Sequence, residues 1–203
     1  MKKNITIPRK INIGLDLDGV LIDHTENKIR VAKSFGFRLI PKETQSEAMK
    51  HILPKKEYKR LQKIIYGKMT MDAFPTPKVF KILQKLSPKH NLFIISRRKG
   101  KDANMAWRWL KKYQIFNIIP KKHIFFIEKG DKKFLCKKLK IVIYIDDEVK
   151  ILKKLSSVLY PILYNPHRVS TNQKFLEIKS WKKLPNLLNK IKSKILFSLS
   201  NCR

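Results

Sequence analysis

Apolar residues recur along this chain in two rhythms. Short continuous runs stand at residues 11–17, 91–95, 123–127, 141–145 and 158–163, bounded by polar or turn-forming residues. Runs of this length, rich in β-branched residues, read as strands buried on both faces. Between them the apolar spacing changes to three and four, which predicts amphipathic helices over residues 78–86, 102–113, 131–139 and 149–155. Ser87-Pro88 closes the first of these, and Asp131 stands where an N-cap is favoured. The alternation from residue 77 onward predicts an α/β fold. Its form is a three-layer, Rossmann-like parallel sheet with helices on both faces.

Residues 24–74 break that rhythm. They are rich in charge, and residues 28–35 carry helical periodicity that Gly36 is placed to stop. Further helices are expected over residues 43–52 and 55–65, the second following Pro54 and ending near Gly67. Phe74-Pro75-Thr76-Pro77 marks the return of the chain. The expected organisation is a core of residues 1–23 and 75–180, a small helical insertion at 24–74, and a basic C-terminal segment at 181–203. In that segment Leu184, Leu187, Leu188, Ile191 and Ile195 fall at helical spacing, and Pro185 suits a first turn. A helix docked on the core is expected there ahead of a free basic surface helix.

Charge changes the picture less than its size suggests. The net charge is +32, from 47 basic and 15 acidic residues. Such a balance points to an anionic partner. Lysine supplies most of it, however, and the lysines are spread along the whole chain. Dedicated phosphate and base recognition favours arginine forks, so nucleic acid is the less favoured partner and a solvated lysine-rich surface the better reading. The field still draws small phosphorylated molecules. Cys136 and Cys202 are too few for a disulfide framework and lack metal-ligand spacing, which fits a reducing, cytoplasmic setting. Cys136 reads as a small apolar residue. No apolar run approaches the ~20 residues of a membrane span. Pro8, Arg9 and Lys10 interrupt any signal-like stretch at the N-terminus.

The acidic residues are where chemistry concentrates. Four of the 15 sit in two groups, Asp16 and Asp18 after one apolar run and Asp146-Asp147 after another. Carboxylates at i and i+2 of a strand share a face and reach its C-terminal edge, where open α/β sheets build their sites. Clustered hard oxygen donors in so basic a chain ask for a cation, and Mg²⁺ suits them. Phosphate-ester hydrolysis needs a nucleophile, an acid/base, charge neutralisation and a cradle for the phosphoryl oxygens. Asp16, Asp18, Ser96, a lysine near 132 and the Asp146-Asp147 pair offer one candidate for each need. Singly, each has a blander reading. Asp-x-Asp-Gly is common in turns and calcium loops, although the further ligands of a calcium loop are absent. A serine ending a strand is commonly a turn residue, and an acidic pair can cap a helix.

Taken in order, the four segments resemble the haloacid dehalogenase (HAD) superfamily of aspartate-dependent phosphatases. Its first motif stands here as Asp16-Leu17-Asp18-Gly19-Val20 after Ile13-Gly14-Leu15. The second is Leu92-Phe93-Ile94-Ile95-Ser96, the third lies within Lys129-Gly130-Asp131-Lys132-Lys133, and the fourth is Tyr144-Ile145-Asp146-Asp147. The resemblance implies that Asp16 attacks phosphorus and forms an aspartyl-phosphate, with Asp18 as general acid and then general base. It implies that Ser96 orients the phosphoryl group and Lys132 neutralises charge. It also implies an Mg²⁺ site from Asp16, the Asp18 backbone carbonyl, Asp146 and Asp147. Lys129 and Lys133 compete for the lysine role; Lys132 is preferred because Leu135 and Leu139 then face the core.

The insertion after the first motif resembles a small helical cap. Trp107-Arg108-Trp109-Leu110 is similar to the 5′-nucleotidase-like branch. Arg97, and Arg98 beside it, are placed to reach a substrate phosphate, while Asp23 and His24 stand at the hinge of the insertion. Two tryptophans at a two-residue spacing cannot share a helix face, so one is expected in the core and one partly exposed. The expected activity is a Mg²⁺-dependent phosphomonoesterase acting on an anionic substrate such as a nucleoside monophosphate. The alternatives are phosphoryl transfer to another acceptor, a polynucleotide 3′-phosphatase, or a non-catalytic nucleic-acid-binding protein on the same fold.

Overall fold

The computed structural model describes residues 10–127, 132–170 and 175–200, with residues 195–200 as helix backbone. The expectations for Asp131, Lys129 and Cys202 lie outside the described residues.

A six-stranded parallel sheet forms the centre. Strand β1 (Asn12–Leu15) lies between β4 (Asn91–Ser96) and β6 (Ile141–Asp146). Beyond β4 is β5 (Ile124–Phe126); beyond β6 are β7 (Tyr160–Tyr164) and β8 (Leu176–Ile178). The chain runs from β1 outward through β4 and β5, then crosses back to β6 on the other side. That reversal opens a crevice at the C-terminal ends of β4, β1 and β6. Leu15, the last residue of β1, lies opposite Ile94 on one side and Ile145 on the other, so β6 runs on to Asp146 and β4 to Ser96 past the end of β1.

Alternation along the strands divides the core. Ile13, Leu15, Leu92, Ile94, Ile143 and Ile145 face one layer, formed by α4 (Val79–Leu86), α5 (Gly100–Lys112) and α8 (Leu184–Ser200). Phe93, Ile95, Tyr144 and Leu163 face the other, formed by α6 (Lys132–Lys138) and α7 (Val149–Leu152). Trp109 is fully buried and donates from Nε1 to the Ala73 carbonyl at 2.8 Å. Trp107 is half-buried against Phe116 and Phe126. Leu184, Leu188 and Ile191 of α8 are buried in the first layer, so the basic C-terminal segment is docked.

The charged stretch after β1 forms a helical unit with a core of its own. Helices α1 (Thr25–Ser34), α2 (Ser46–Ile52) and α3 (Lys55–Tyr66) enclose Val31, Leu39, Met49, Leu61 and Ile65. The unit joins the main body through a short antiparallel ladder of β2 (Ile22–Asp23) and β3 (Phe74–Pro75). Thr76 donates its hydroxyl to the Val20 carbonyl at 2.8 Å across the same neck.

Several boundaries move from the sequence expectation. The first strand stops at Leu15, because the chain turns through Asp18 into β2. The second helix of the unit starts at Ser46, after a 3₁₀ turn at Pro41–Thr44. Helix α7 is only Val149–Leu152. Strand β8 has no counterpart among the expected elements.

Candidate active site

Asp16 is the first residue past β1, and its backbone N–H donates to the Ile145 carbonyl at 2.9 Å. That bond holds the Asp16 side chain beside the end of β6, where Asp146 is the last strand residue. Lys132 opens α6 and turns inward on the same face as Cys136, which is fully buried. Its Nζ donates to Asp16 Oδ1 at 2.7 Å and to Asp146 Oδ2 at 2.9 Å. The ring of Tyr144 lies 5.4 Å from that ammonium and donates from its hydroxyl to the Ile95 carbonyl. The ring crosses directly over Gly14, where a Cβ would collide with it.

Asp147 completes the cluster. Oxygens of Asp16, Asp146 and Asp147 lie within 4.8 Å of one another. Three carboxylates against one ammonium leave two negative charges uncompensated within this group. Burial, joined by the neighbouring carboxylates, outweighs Lys132 and pushes the Asp16 carboxyl up from 3.8 to about 7. Burial raises Asp146 against the pull of Lys132, and burial together with the Asp146 and Asp16 carboxylates raises Asp147 strongly. Lys132 is driven the other way: burial would lower it, but Asp146 and Asp16 hold it firmly protonated. A hard divalent cation fits this donor set in both charge and ligand type. The acidic pair does not cap α7, whose N-cap is Glu148 without a side-chain cap; Asp146 Oδ1 instead accepts from the Glu148 N–H at 2.9 Å.

Asp18 stands apart from that cluster, because the strand has ended before it. Its carboxylate turns to Arg98, which donates from Nε to Oδ2 at 2.9 Å and from Nη2 to Oδ1 at 2.6 Å. His24 Nε2 lies 2.8 Å from Oδ1. Burial alone would raise the Asp18 carboxyl, but Arg98 and His24 overcome it and hold the group far below the usual carboxylate range. His24 is itself lowered by burial, which outweighs the pull of Asp18. With the ring neutral and a carboxylate as partner, Nε2 carries the proton and donates it. Any metal contact from Asp18 therefore falls to its backbone oxygen.

Ser96 ends β4 and is buried, with its Oγ facing the backbone N–H of Arg98 at 3.3 Å. These side chains line a cavity of about 340 Å³ that Lys28, Arg97 and Lys99 also border. The structure thus brings Asp16, Ser96, Lys132, Asp146 and Asp147 together, with Asp18 on the same cavity wall. Arg97 is exposed at its edge. Arg98, not singled out from its neighbour by sequence, carries the dominant contacts of the pair. Lys133 is exposed, on the outer face of α6.

The profile of the family described as 5′ nucleotidase, deoxy (pyrimidine), cytosolic type C protein (NT5C) matches residues 9–196. No curated protein matches the sequence. Among solved structures, the haloacid dehalogenase-like family protein SP0104 from Streptococcus pneumoniae aligns with a TM-score of 0.58 at 16% identity. That alignment covers 89% of this chain and 100% of the other. The HAD hydrolase YfnB from Bacillus subtilis, solved with magnesium bound, aligns with a TM-score of 0.62 at 14% identity, covering 89% and 99%. A HAD family hydrolase from Deinococcus radiodurans, solved with phosphate and sodium, gives 0.57 at 13% identity, covering 91% and 97%. At these identities the structures speak to the fold, while the family match spans nearly the whole chain. The chain accordingly belongs to the NT5C family of the haloacid dehalogenase superfamily and is a phosphatase, a hydrolase acting on phosphoric esters.

Proposed function

We propose that the protein is a Mg²⁺-dependent phosphomonoesterase that works through an aspartyl-phosphate on Asp16. The observation that carries this reading is the Lys132 ammonium bridging Asp16 and Asp146, with Asp147 closing the acidic cluster. An oxygen of Asp16 attacks phosphorus, and the bond from phosphorus to the ester oxygen breaks. Arg98 and His24 hold the Asp18 carboxylate ionised in this structure, so Asp18 gives a proton to the departing oxygen only once that pairing opens and it has taken up a proton from solvent. It then takes a proton from the water that attacks the phosphorus, which releases inorganic phosphate and restores Asp16. Lys132 spreads the charge of the nucleophile, and the Ser96 hydroxyl orients a phosphoryl oxygen. Asp16, Asp146, Asp147 and the Asp18 carbonyl would hold Mg²⁺, which supplies charge stabilisation to the phosphoryl oxygens.

The helical unit, residues 24–74, acts as a cap that shields the site from water. Lys28 and the loop bearing Arg97 and Lys99 favour an anionic ester. Together with the family match they support a nucleoside monophosphate as substrate. A chain with only two cysteines is consistent with a reducing, cytoplasmic compartment. Among the described residues no helix is long and apolar enough to cross a membrane.

The test is phosphate release from a panel of nucleoside monophosphates and sugar phosphates. Release is expected to require Mg²⁺, to vanish in Asp16→Asn, and to be faster on nucleotides. A preference for sugar phosphates would overturn the substrate assignment, and undiminished turnover by Asp16→Asn would overturn the mechanism.

A further inference from the structure

Lys28, on α1, is 8% exposed, and among the described residues no carboxylate lies within ion-pair distance of it. Its Nζ donates to the Thr44 carbonyl at 2.9 Å, which uses one of the three ammonium protons. A buried charge is as a rule paired, because otherwise its lost hydration is not made good. Two cavities meet at this residue. The catalytic one measures about 340 Å³, and a second of about 330 Å³ lies between the neck of the helical unit and the segments around Tyr164 and Ser180. Lys28 and Asp147 border both, whereas Asp16, Ser96 and Lys132 border the first alone. His167, Lys179 and the hydroxyl-bearing Thr25 and Ser180 also border the second. Its two carboxylates have other commitments: Asp23 Oδ1 accepts from the Thr25 N–H at 2.9 Å, and Asp147 belongs to the acidic cluster. His24 borders this cavity too, and its Nδ1 is buried without a hydrogen-bond partner. With the ring proton on Nε2, Nδ1 is an acceptor that a sugar hydroxyl would satisfy.

We propose that Lys28 is a specificity-determining residue that receives a second phosphate of the substrate, so that the preferred ester is a nucleoside bisphosphate. The proposal rests on the phosphomonoesterase reading of Asp16. The phosphoryl group being cleaved is held in the first cavity by Lys132 and Ser96, and neither reaches the second. Lys28 stands at the junction, so an anion on its ammonium belongs to the part of the molecule that leaves. A dianionic phosphate offers the missing charge and several acceptors at once, and its bonds to an ammonium are of the strong, charge-assisted kind. Each cavity alone is at the small end for a ligand site, and together they suit a nucleoside with two phosphates. A nucleotide with one phosphate, bound for cleavage at Asp16, leaves the Lys28 ammonium unpaired.

The measurement is kcat/KM for release of the first phosphate from a nucleoside 5′-monophosphate and from the matching 3′,5′-bisphosphate. It is made with Mg²⁺ at about 0.15 M salt, where a Debye length of about 8 Å screens the field of the surface lysines. A hydrogen bond to a charged partner carries the discrimination, so the wild type is expected to favour the bisphosphate by about ten- to hundredfold. Lys28→Met keeps the length of the side chain and removes the charge. The ratio of the two constants is expected to fall close to one in that variant. Lys28→Arg keeps the charge and should retain most of the preference.

A wild type that turns over both esters without preferring the bisphosphate would overturn the proposal while leaving the phosphatase reading intact. So would a preference that survives Lys28→Met, because the surface field or another residue would then carry it. A wild type inactive on both esters and on p-nitrophenyl phosphate would remove the phosphatase reading and this proposal with it. Should Lys28→Met fail to fold, the wild-type ratio decides alone: a preference of about tenfold or more supports the second phosphate, and a smaller one ends it.

Discussion

Gly19 stands where any side chain would meet the Asp147 carboxylate, and its φ of +76° lies in the left-handed region. Gly19→Ala therefore strains the backbone by ~1–2 kcal/mol and pushes Asp147 out of the acidic cluster. The expected result is a lower melting temperature and an apparent Mg²⁺ affinity weakened about tenfold, read by titrating activity with the metal. Lys132→Met should act on the metal in the opposite sense. It removes the ammonium that Asp16 and Asp146 share, so Mg²⁺ should bind more tightly by calorimetry. Phosphatase activity should nevertheless fall by about 10²–10³-fold, because a charge aimed at the reacting group is gone. Equal Mg²⁺ affinity in both variants would separate Asp147 and Lys132 from the metal site.

Lys132 was legible because helical spacing distinguishes it from Lys133, which faces outward. Asp16, Ser96, Asp146 and Asp147 were legible because each closes an apolar run. Arg98 was not, since loop residues past a strand end follow no alternation that would separate it from Arg97. The divergence of Asp18 from Asp16 was hidden for the same reason: i and i+2 share a face only while the strand continues, and β1 ends at Leu15.

Among the elements, those with a long apolar face were readable, and those defined by contact with distant residues were not. Helices α3, α4 and α5 appear close to their expected positions because a full stripe of each is buried. Strand β8 has only Ile178 buried among three residues, too little for a pattern. Trp181 belongs to the same illegible class. It is fully buried, and its Nε1 donates to the Val20 carbonyl at 3.1 Å, 161 residues away in sequence. Val20 lies in the loop that follows Asp18, and its carbonyl also receives the Thr76 hydroxyl. The C-terminal segment thus braces the loop that carries Asp16 and Asp18. Trp181→Phe keeps most of the packing and removes one donor, so a loss of ~1 kcal/mol is expected by urea unfolding. Trp181→Ala leaves a cavity as well and should cost ~3–5 kcal/mol. A similar cost for both would mean that the hydrogen bond, and not the indole volume, holds the loop.

At the scale of the whole molecule, a chain of net charge +32 folds around a pocket that is locally too negative. Lysines over the surface relieve that pocket little, because the burial of its carboxylates beside one another is the larger influence. Without metal, the site is best satisfied by protons. Asp16 rises from 3.8 to about 7, and Asp146 and Asp147 are raised as well, so the folded state binds protons more strongly than the unfolded chain. Their contribution to stability is then complete below the unfolded value near 3.8 and is lost as pH rises through about 7. Asp18 has the opposite sign. Its carboxyl is depressed, so its contribution is present above the unfolded value and is lost only in acid, outside this window. His24, His90 and His167 are lowered and act in the opposite sense below their ordinary value near 6.5, so in chelator the melting temperature should fall as pH is raised from about 7 to about 8, where those histidines no longer contribute. Mg²⁺ replaces those protons, so its stabilising effect should be small at the acidic end and large at the alkaline end. A metal-induced shift of equal size at both ends would show that the cation binds without displacing protons from Asp16, Asp146 and Asp147.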